Sequence, residues 1–230
     1  MPALILIPGL LCNENLWHGQ IRSLKQVADV SVANITQQST IQDMANAVLK
    51  SAPKRFSLAG FSLGSQVALA LMELAPERVD RLALLSATHG GVSPLVEEAL
   101  HWAIATLTES NFDEYLEQAY PTYVAPARVD DAELKNAFIG MAHAVGVEAG
   151  RRQMNALLGI THPFAHLELI RCHTVLIGGG DDRRTPPSAH ELLARDIPGA
   201  SLVIVRESGH FTPLEQPEQV TLALRRWLEV

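Results

Sequence analysis

Three stretches of this chain hold residue types that can act on one another. They are the glycine-flanked serine of Gly60-Phe61-Ser62-Leu63-Gly64, the carboxylates of Asp181-Asp182, and the histidine of Ser208-Gly209-His210. A serine hydroxyl is a poor nucleophile alone. It needs a base to take its proton, and donors to hold the oxyanion formed on attack at a carbonyl. An imidazole is the usual base, and a carboxylate keeps that imidazole in the right tautomer and steadies its positive charge. The chemistry these types imply is acyl transfer. G-x-S-x-G alone is a weak pattern, because any tight turn between a strand and a helix accounts for it, so the surrounding elements must decide.

Phe56 to Ala59 is an apolar run and Val67 to Ala70 lies in an Ala-rich helical one, which puts Ser62 on the sharp turn between a strand and a helix. Gly60 and Gly64 leave that turn without side chains where strand and helix approach most closely. The helix behind it points its positive end at the serine. Ala3 to Ile7 is another short apolar strand, stopped by Pro8-Gly9. A helix is expected from Gln20 to Val27, a weak strand from Val30 to Ile35, and a helix from Ile41 to Leu49 with Thr40 as its cap. Arg81 to Ser86 is a fourth strand.

This alternation of strands and helices marks parallel β-α-β units. It breaks after Thr88-His89-Gly90-Gly91. From Ser93 to His166 only helical stretches are expected, at Leu95–Leu107, Phe112–Ala119, Asp131–Val145 and Glu148–Leu158. The rhythm resumes with a strand at Thr174–Ile177, a helix at Ser188–Arg195, a strand at Ser201–Val205 and a closing amphipathic helix at Gln216–Glu229. The fold class is therefore α/β, a mostly parallel sheet of about six strands flanked by helices. The expected division is a core over 1–92, a helical lid inserted over 93–166, and the rest of the core over 167–230.

The length of 230 residues suits one such domain. With 18 Lys+Arg against 25 Asp+Glu the net charge is -7, which gives no footprint for nucleic acid and favours a small-molecule substrate as the partner. No run approaches a membrane span and the amino terminus lacks a secretory pattern, so no membrane partner and a cytoplasmic location are expected. Cys12 and Cys172 are the only cysteines and have no C-x-x-C spacing. His162 and His166 stand at i, i+4, but Pro163 interrupts them and no further ligand follows at zinc spacing, so no metal site is expected. The oligomeric state is not legible.

Asp181-Asp182 and His210 each sit on a loop that follows a late strand, and in a parallel sheet both loops emerge at the edge that carries Ser62. The chain order Ser, Asp, His is that of α/β-hydrolases and differs from the orders of the chymotrypsin and subtilisin folds. With Pro8-Gly9-Leu10-Leu11 running to Trp17, Ala75-Pro76-Glu77-Arg78-Val79, Thr185-Pro186 and Leu214-Glu215-Gln216-Pro217, the whole chain resembles the lidded esterases, lactonases and carbon–carbon bond hydrolases of the α/β-hydrolase family. The resemblance selects Asp182 as the acid beside Ser62 and His210, and implies that the backbone N–H groups of Leu63 and Leu10 form the oxyanion hole.

Departures from the family pattern are Pro8 where many relatives carry His, Ser65 in place of a Gly or Ala, and Asn34 to Ser39 where many have an acidic, glycine-rich loop. The chain also starts directly at what would be the family's third strand. Leu11, Phe61, His89 and Phe211 are the candidate pocket residues. Arg183 and Arg184 flank the acid, where an inward-facing arginine could bind a substrate carboxylate as a fork, but a solvated pair on a loop is the commoner outcome. The expected function is a serine hydrolase of a small or medium-sized ester, thioester or lactone, with no cofactor. The alternatives are a carbon–carbon bond hydrolase of a β-diketone-like substrate and a non-catalytic ligand receptor.

Overall fold

The computed structural model describes residues 1–160 and 164–229. Six strands form one parallel sheet: β1 (Ala3–Ile7), β2 (Asp29–Val32), β3 (Phe56–Phe61), β4 (Val79–Leu85), β5 (His173–Gly179) and β6 (Ser201–Val205), in the order β2-β1-β3-β4-β5-β6. Central β3 is buried at every residue, as a strand covered on both faces must be. The edge strands β2 and β6 are shorter and partly exposed, which is why β2 is faint in the sequence.

The helices are α1 (His18–Leu24), α2 (Ile41–Ser51), α3 (Leu63–Leu74), α4 (Pro94–Thr106), α5 (Phe112–Ala119), α6 (Ala132–Val145), α7 (Val147–Leu158), α8 (Pro187–Asp196), α9 (Thr212–Glu215) and α10 (Pro217–Glu229). Thr40 caps α2 by accepting the Asp43 N–H at 3.1 Å. The chain runs outward from β1 to β2, then returns to β3 and steps the other way through β6. The direction of winding thus reverses between β1 and β3, and the crevice at the carboxyl ends of those two strands is where such sheets bind ligands. Ser62 follows β3, and Leu10 lies just beyond β1.

Helices α4 to α7 occupy the interval between β4 and β5, and direct contacts stitch them to the core. The Tyr123 carbonyl accepts the N–H groups of His210 and Phe211 at 2.7 and 3.2 Å. On α7 the Gln153 amide oxygen accepts the Leu11 N–H at 2.9 Å, and Arg152 Nε donates to the Thr36 carbonyl at 2.9 Å. Among the described residues no helix is long and apolar enough to cross a membrane, and no group of three or more His, Cys, Asp or Glu is arranged to hold a metal. His162 lies outside the described residues, while His166 is exposed and faces Glu168 at 3.3 Å.

Candidate active site

Ser62 sits at φ 52°, ψ -112°, a backbone conformation that L-residues rarely adopt and that costs about 1–3 kcal/mol. The turn is held from several sides. Ser62 N–H donates to the Leu85 carbonyl of β4 at 2.9 Å, and the Ser65 hydroxyl lies 2.7 Å from the Gly60 carbonyl and 2.9 Å from that of Leu85. The flanking glycines are needed because a Cβ on Gly60 would lie 2.3 Å from the Gly64 carbonyl oxygen, and one on Gly64 would lie 2.3 Å from that of Ile7. Ser65 is therefore more than a tolerated change in size: its hydroxyl lies within hydrogen-bonding reach of the strand ends on either side.

From the serine a hydrogen-bonded row runs inward. Ser62 Oγ lies 2.9 Å from His210 Nε2, and His210 Nδ1 lies 2.8 Å from Asp182 Oδ2. Asp182 is 3% exposed, and its burial alone would raise its pKa. The charge of His210, the hydrogen bonds from His210 and Thr185, and the Thr185 N–H outweigh burial and lower it to about 2. Its Oδ1 accepts the N–H groups of Arg184 and Thr185 at 2.8 and 2.9 Å, and Thr185 Oγ1 donates to Oδ2. An ionised Asp182 takes the proton on Nδ1, which leaves Nε2 as the acceptor facing the serine hydroxyl.

Further buried groups steady this row. Ser86, at φ 47°, donates its hydroxyl to the His210 carbonyl at 2.8 Å. His190 on α8 accepts the Ala87 N–H at Nε2 (3.1 Å), so its proton is on Nδ1, which faces the Pro186 carbonyl at 3.3 Å. Burial lowers its pKa, against the Pro186 hydrogen bond, and it stays neutral as a tie between the end of β4 and the acid loop.

Leu63 is the first residue of α3, where an N–H has no intrahelical acceptor. Among the described residues the Leu10 N–H also has no acceptor. Its neighbour Leu11, at φ 56°, is pinned through Gln153. Cys12 is buried behind this loop with its thiol on the Leu10 carbonyl at 3.3 Å, and burial pushes that thiol up to about 12 despite a backbone hydrogen bond from Gly9. It is not a thiolate at neutral pH.

Ser62, Leu63, Gln66, Thr88, Leu157 and His210 are among the residues that line a cavity of about 150 Å³. A larger one of about 590 Å³ lies between α4, α5 and the acid loop; it does not include Ser62 but shares Ser93, Val96 and Arg184 with the smaller one.

The structure corrects the candidate pocket set. His89 is not among the residues that line the cavity around Ser62; it is partly exposed and faces Asp196 at 3.5 Å, while the preceding Thr88 lines the cavity and accepts the Gln66 amide at 3.2 Å. Leu11, Phe61 and Phe211 are core residues instead. Phe61 and Phe211 stack on each other at 5.7 Å and flank the His210 ring at 5.3 and 6.3 Å. Sequence reading missed Gln66, Ser86, Gln153 and His190. Gln66 and Ser86 stand in mainly apolar runs and Gln153 and His190 on ordinary amphipathic helices, and nothing in their spacing links them to Ser62.

A model described as the Alpha/beta hydrolase family matches residues 15–223. The chain belongs to that family. The pimeloyl-(acyl-carrier protein) methyl ester esterase of Nitrosomonas europaea is 27% identical, over 95% of this chain and 92% of the relative. A thermophilic esterase from Thermogutta terrifontis superposes with a TM-score of 0.88 at 22% identity, covering 100% of this chain and 90% of its own. The enol-lactonase from Burkholderia xenovorans LB400 has the same fold at a TM-score of 0.88 and 18% identity, covering 100% and 92%.

In this α/β-hydrolase the loop that carries His210 rests on Glu215. Its Oε2 accepts the N–H of Gly209 at 3.0 Å and that of Ala125, from the inserted segment, at 2.7 Å. Burial raises its pKa, against the lowering effect of those two N–H groups and Arg128. Glu215→Ala would leave two buried donors without acceptors, and is expected to destabilise the fold by about 2–4 kcal/mol in a urea titration. Glu215→Gln keeps one oxygen able to accept both and should cost less. Equal losses in the two variants would show that the side chain's volume, rather than its acceptor, is what matters.

Proposed function

We propose that this hydrolase cleaves a small or medium-sized carboxylic ester, thioester or lactone through an acyl-enzyme on Ser62. The observation that carries the reading is the unbroken row from Ser62 Oγ through His210 to the buried Asp182, with links of 2.9 and 2.8 Å.

Ser62 Oγ attacks the carbonyl carbon as its proton passes to His210 Nε2. The carbonyl oxygen becomes an oxyanion and accepts hydrogen bonds from the N–H groups of Leu63 and Leu10, both free of protein acceptors among the described residues. Collapse breaks the bond to the leaving group, which takes the proton from His210. Water then attacks the acyl-enzyme, giving its proton to His210, and the acid leaves with Ser62 restored. Asp182 holds the imidazole in the tautomer that both halves need. The inserted segment 93–166 acts as the lid, since α4 and α5 wall the larger cavity and α7 contributes Leu157 to the smaller one.

The methyl ester esterase named among the relatives favours cleavage of a carbon–oxygen bond over a carbon–carbon bond. The test is intact-mass analysis after exposure to a fluorophosphonate probe, followed by turnover of an ester, thioester and lactone panel beside a β-diketone. One adduct mapping to Ser62, absent from His210→Ala, with ester or lactone turnover, is the expected result. A folded wild type that takes no adduct would overturn the serine mechanism, and turnover of the diketone alone would overturn the ester assignment.

A further inference from the structure

The charges on the cavity walls run opposite to those of the chain. The whole sequence has 25 Asp+Glu against 18 Lys+Arg, yet the residues that line the two neighbouring cavities include Arg183 and Arg184 and no carboxylate. Arg184 is the charged residue common to both. Its guanidinium lies 4.1 Å over the Tyr123 ring, and its Nη1 donates to Thr122 Oγ1 at 3.3 Å, so the group is held in place rather than trailing into solvent. Its neighbour Arg183 is exposed, with Nη2 on the Pro121 carbonyl at 3.2 Å.

Among the described residues no carboxylate lies within ion-pair distance of Arg184, whereas the partly buried Arg128 has Asp131 at 2.9 Å. A half-buried guanidinium without an anion gives up hydration for little return, and a carboxylate docked on its fork would restore the balance.

Size adds a second constraint. Sites for small molecules commonly span about 300–1,000 Å³, so the 150 Å³ around Ser62 is too small alone, while the adjoining 590 Å³ falls in that range. A substrate that reaches Ser62 and fills the larger cavity has to pass the residues the two share: Ser93, Val96 and Arg184. The wall of the larger cavity draws Tyr115 and Gln118 from α5 and Leu95, Val96 and Trp102 from α4.

Building on the Ser62 ester-hydrolase reading, we propose that the substrate is an ester bearing a free carboxylate away from the scissile bond, and that Arg184 is the residue that selects it. The carboxylate docks on Arg184, at the boundary of the two cavities, as the ester carbonyl reaches Ser62, and the intervening chain lies along Val92, Val96 and Leu157 of the smaller cavity.

The test compares monomethyl succinate, glutarate and adipate with their uncharged ω-amides of matched shape, reading methanol release. The quantity is the kcat/KM ratio of acid to amide within one preparation, so that partial misfolding cancels. For the wild type the best of the three acids is expected to lead its amide by roughly ten- to a hundred-fold, with the lead shrinking as salt is added. Arg184→Gln, which can still bond Thr122, should bring the ratio close to one, and Arg184→Lys should restore part of it.

A wild-type ratio near one, with both esters cleaved, overturns the carboxylate proposal and leaves the Ser62 reading standing. A ratio unchanged in Arg184→Gln overturns the assignment to Arg184. Should none of these esters turn over while the fluorophosphonate adduct still forms, the readout is protection of Ser62 from the probe. Protection by the acids at lower concentration than by the amides, lost in Arg184→Gln, supports the proposal, and equal protection overturns it. Failure of adduct formation itself counts against the serine mechanism instead.

Discussion

Replacing Ser62 by alanine is expected to lower kcat on the best ester by roughly 10⁵-fold or more while leaving the fold intact. The size of the effect follows from chemistry: no other group in the row can form the acyl-enzyme, and His210 without the serine has only water to activate. Cys12 is no substitute, because its thiol is buried and pushed up to about 12. Folding should be little affected because alanine keeps the Cβ that the strained turn already accommodates at φ 52°. The side-chain loss is one hydrogen bond to His210, worth about 1 kcal/mol. The measurement is burst and steady-state kinetics on purified variant beside a thermal melt. A kcat within a hundred-fold of wild type would mean that the acyl group never resides on Ser62.

The second large effect is expected from Asp182→Asn, at roughly 10⁴-fold in kcat. Asp182 Oδ2 accepts from His210 Nδ1, and Oδ1 is already occupied by the N–H groups of Arg184 and Thr185. An asparagine that keeps its oxygen on those two N–H groups must turn its NH₂ toward His210. Nδ1 then becomes the acceptor, the ring proton moves to Nε2, and the base facing Ser62 is lost. The same variant has a signature in stability. The carboxyl of Asp182 is depressed from 3.8 to about 2 in the fold, so its stabilisation, about 2 kcal/mol, is fully present above pH 3.8 and fades as pH falls through about 2. Wild type should therefore lose stability between about pH 4 and pH 2 more steeply than Asp182→Asn. Parallel acid limbs would mean that the carboxyl is not held ionised by His210 and Thr185.

Much of this architecture is local and therefore legible in the order of residues. A strand covered on both faces reads as a near-continuous apolar run, which marks β1, β3, Leu82 to Leu85 of β4 and Val175 to Ile177 of β5. A serine between glycines at a strand-to-helix junction marks the turn, and the placement of Asp182 and His210 after later strands is enough to put them at one edge of a parallel sheet. The helices of the insertion follow from their periodicity and caps, such as Asp131 accepting the Leu134 N–H at 3.0 Å. Boundaries drift where edge strands are half-exposed, as at β2.

Pairings between distant segments carry no local signal, and only the tertiary structure decided them. The strand order that sets the loops after β1 and β3 side by side is one such case. Others are the bond from Gln153 to Leu11, the His190 tie between Ala87 and Pro186, and the Glu215 carboxylate shared by Gly209 and Ala125. His89 faces Asp196, and Phe61 and Phe211 pack beside His210 in the core, because packing rather than proximity in sequence determines which side chains face a cavity. For the same reason a charged residue such as Arg184 reads from sequence as one of a solvated pair, and only the closing of the insertion over the sheet edge stacks it on Tyr123 at the junction of two cavities. The sequence by itself determined which groups are available for acyl transfer and on which elements they stand. Burial, tautomer and the shape of the space around Ser62 came from contacts between residues far apart in the chain.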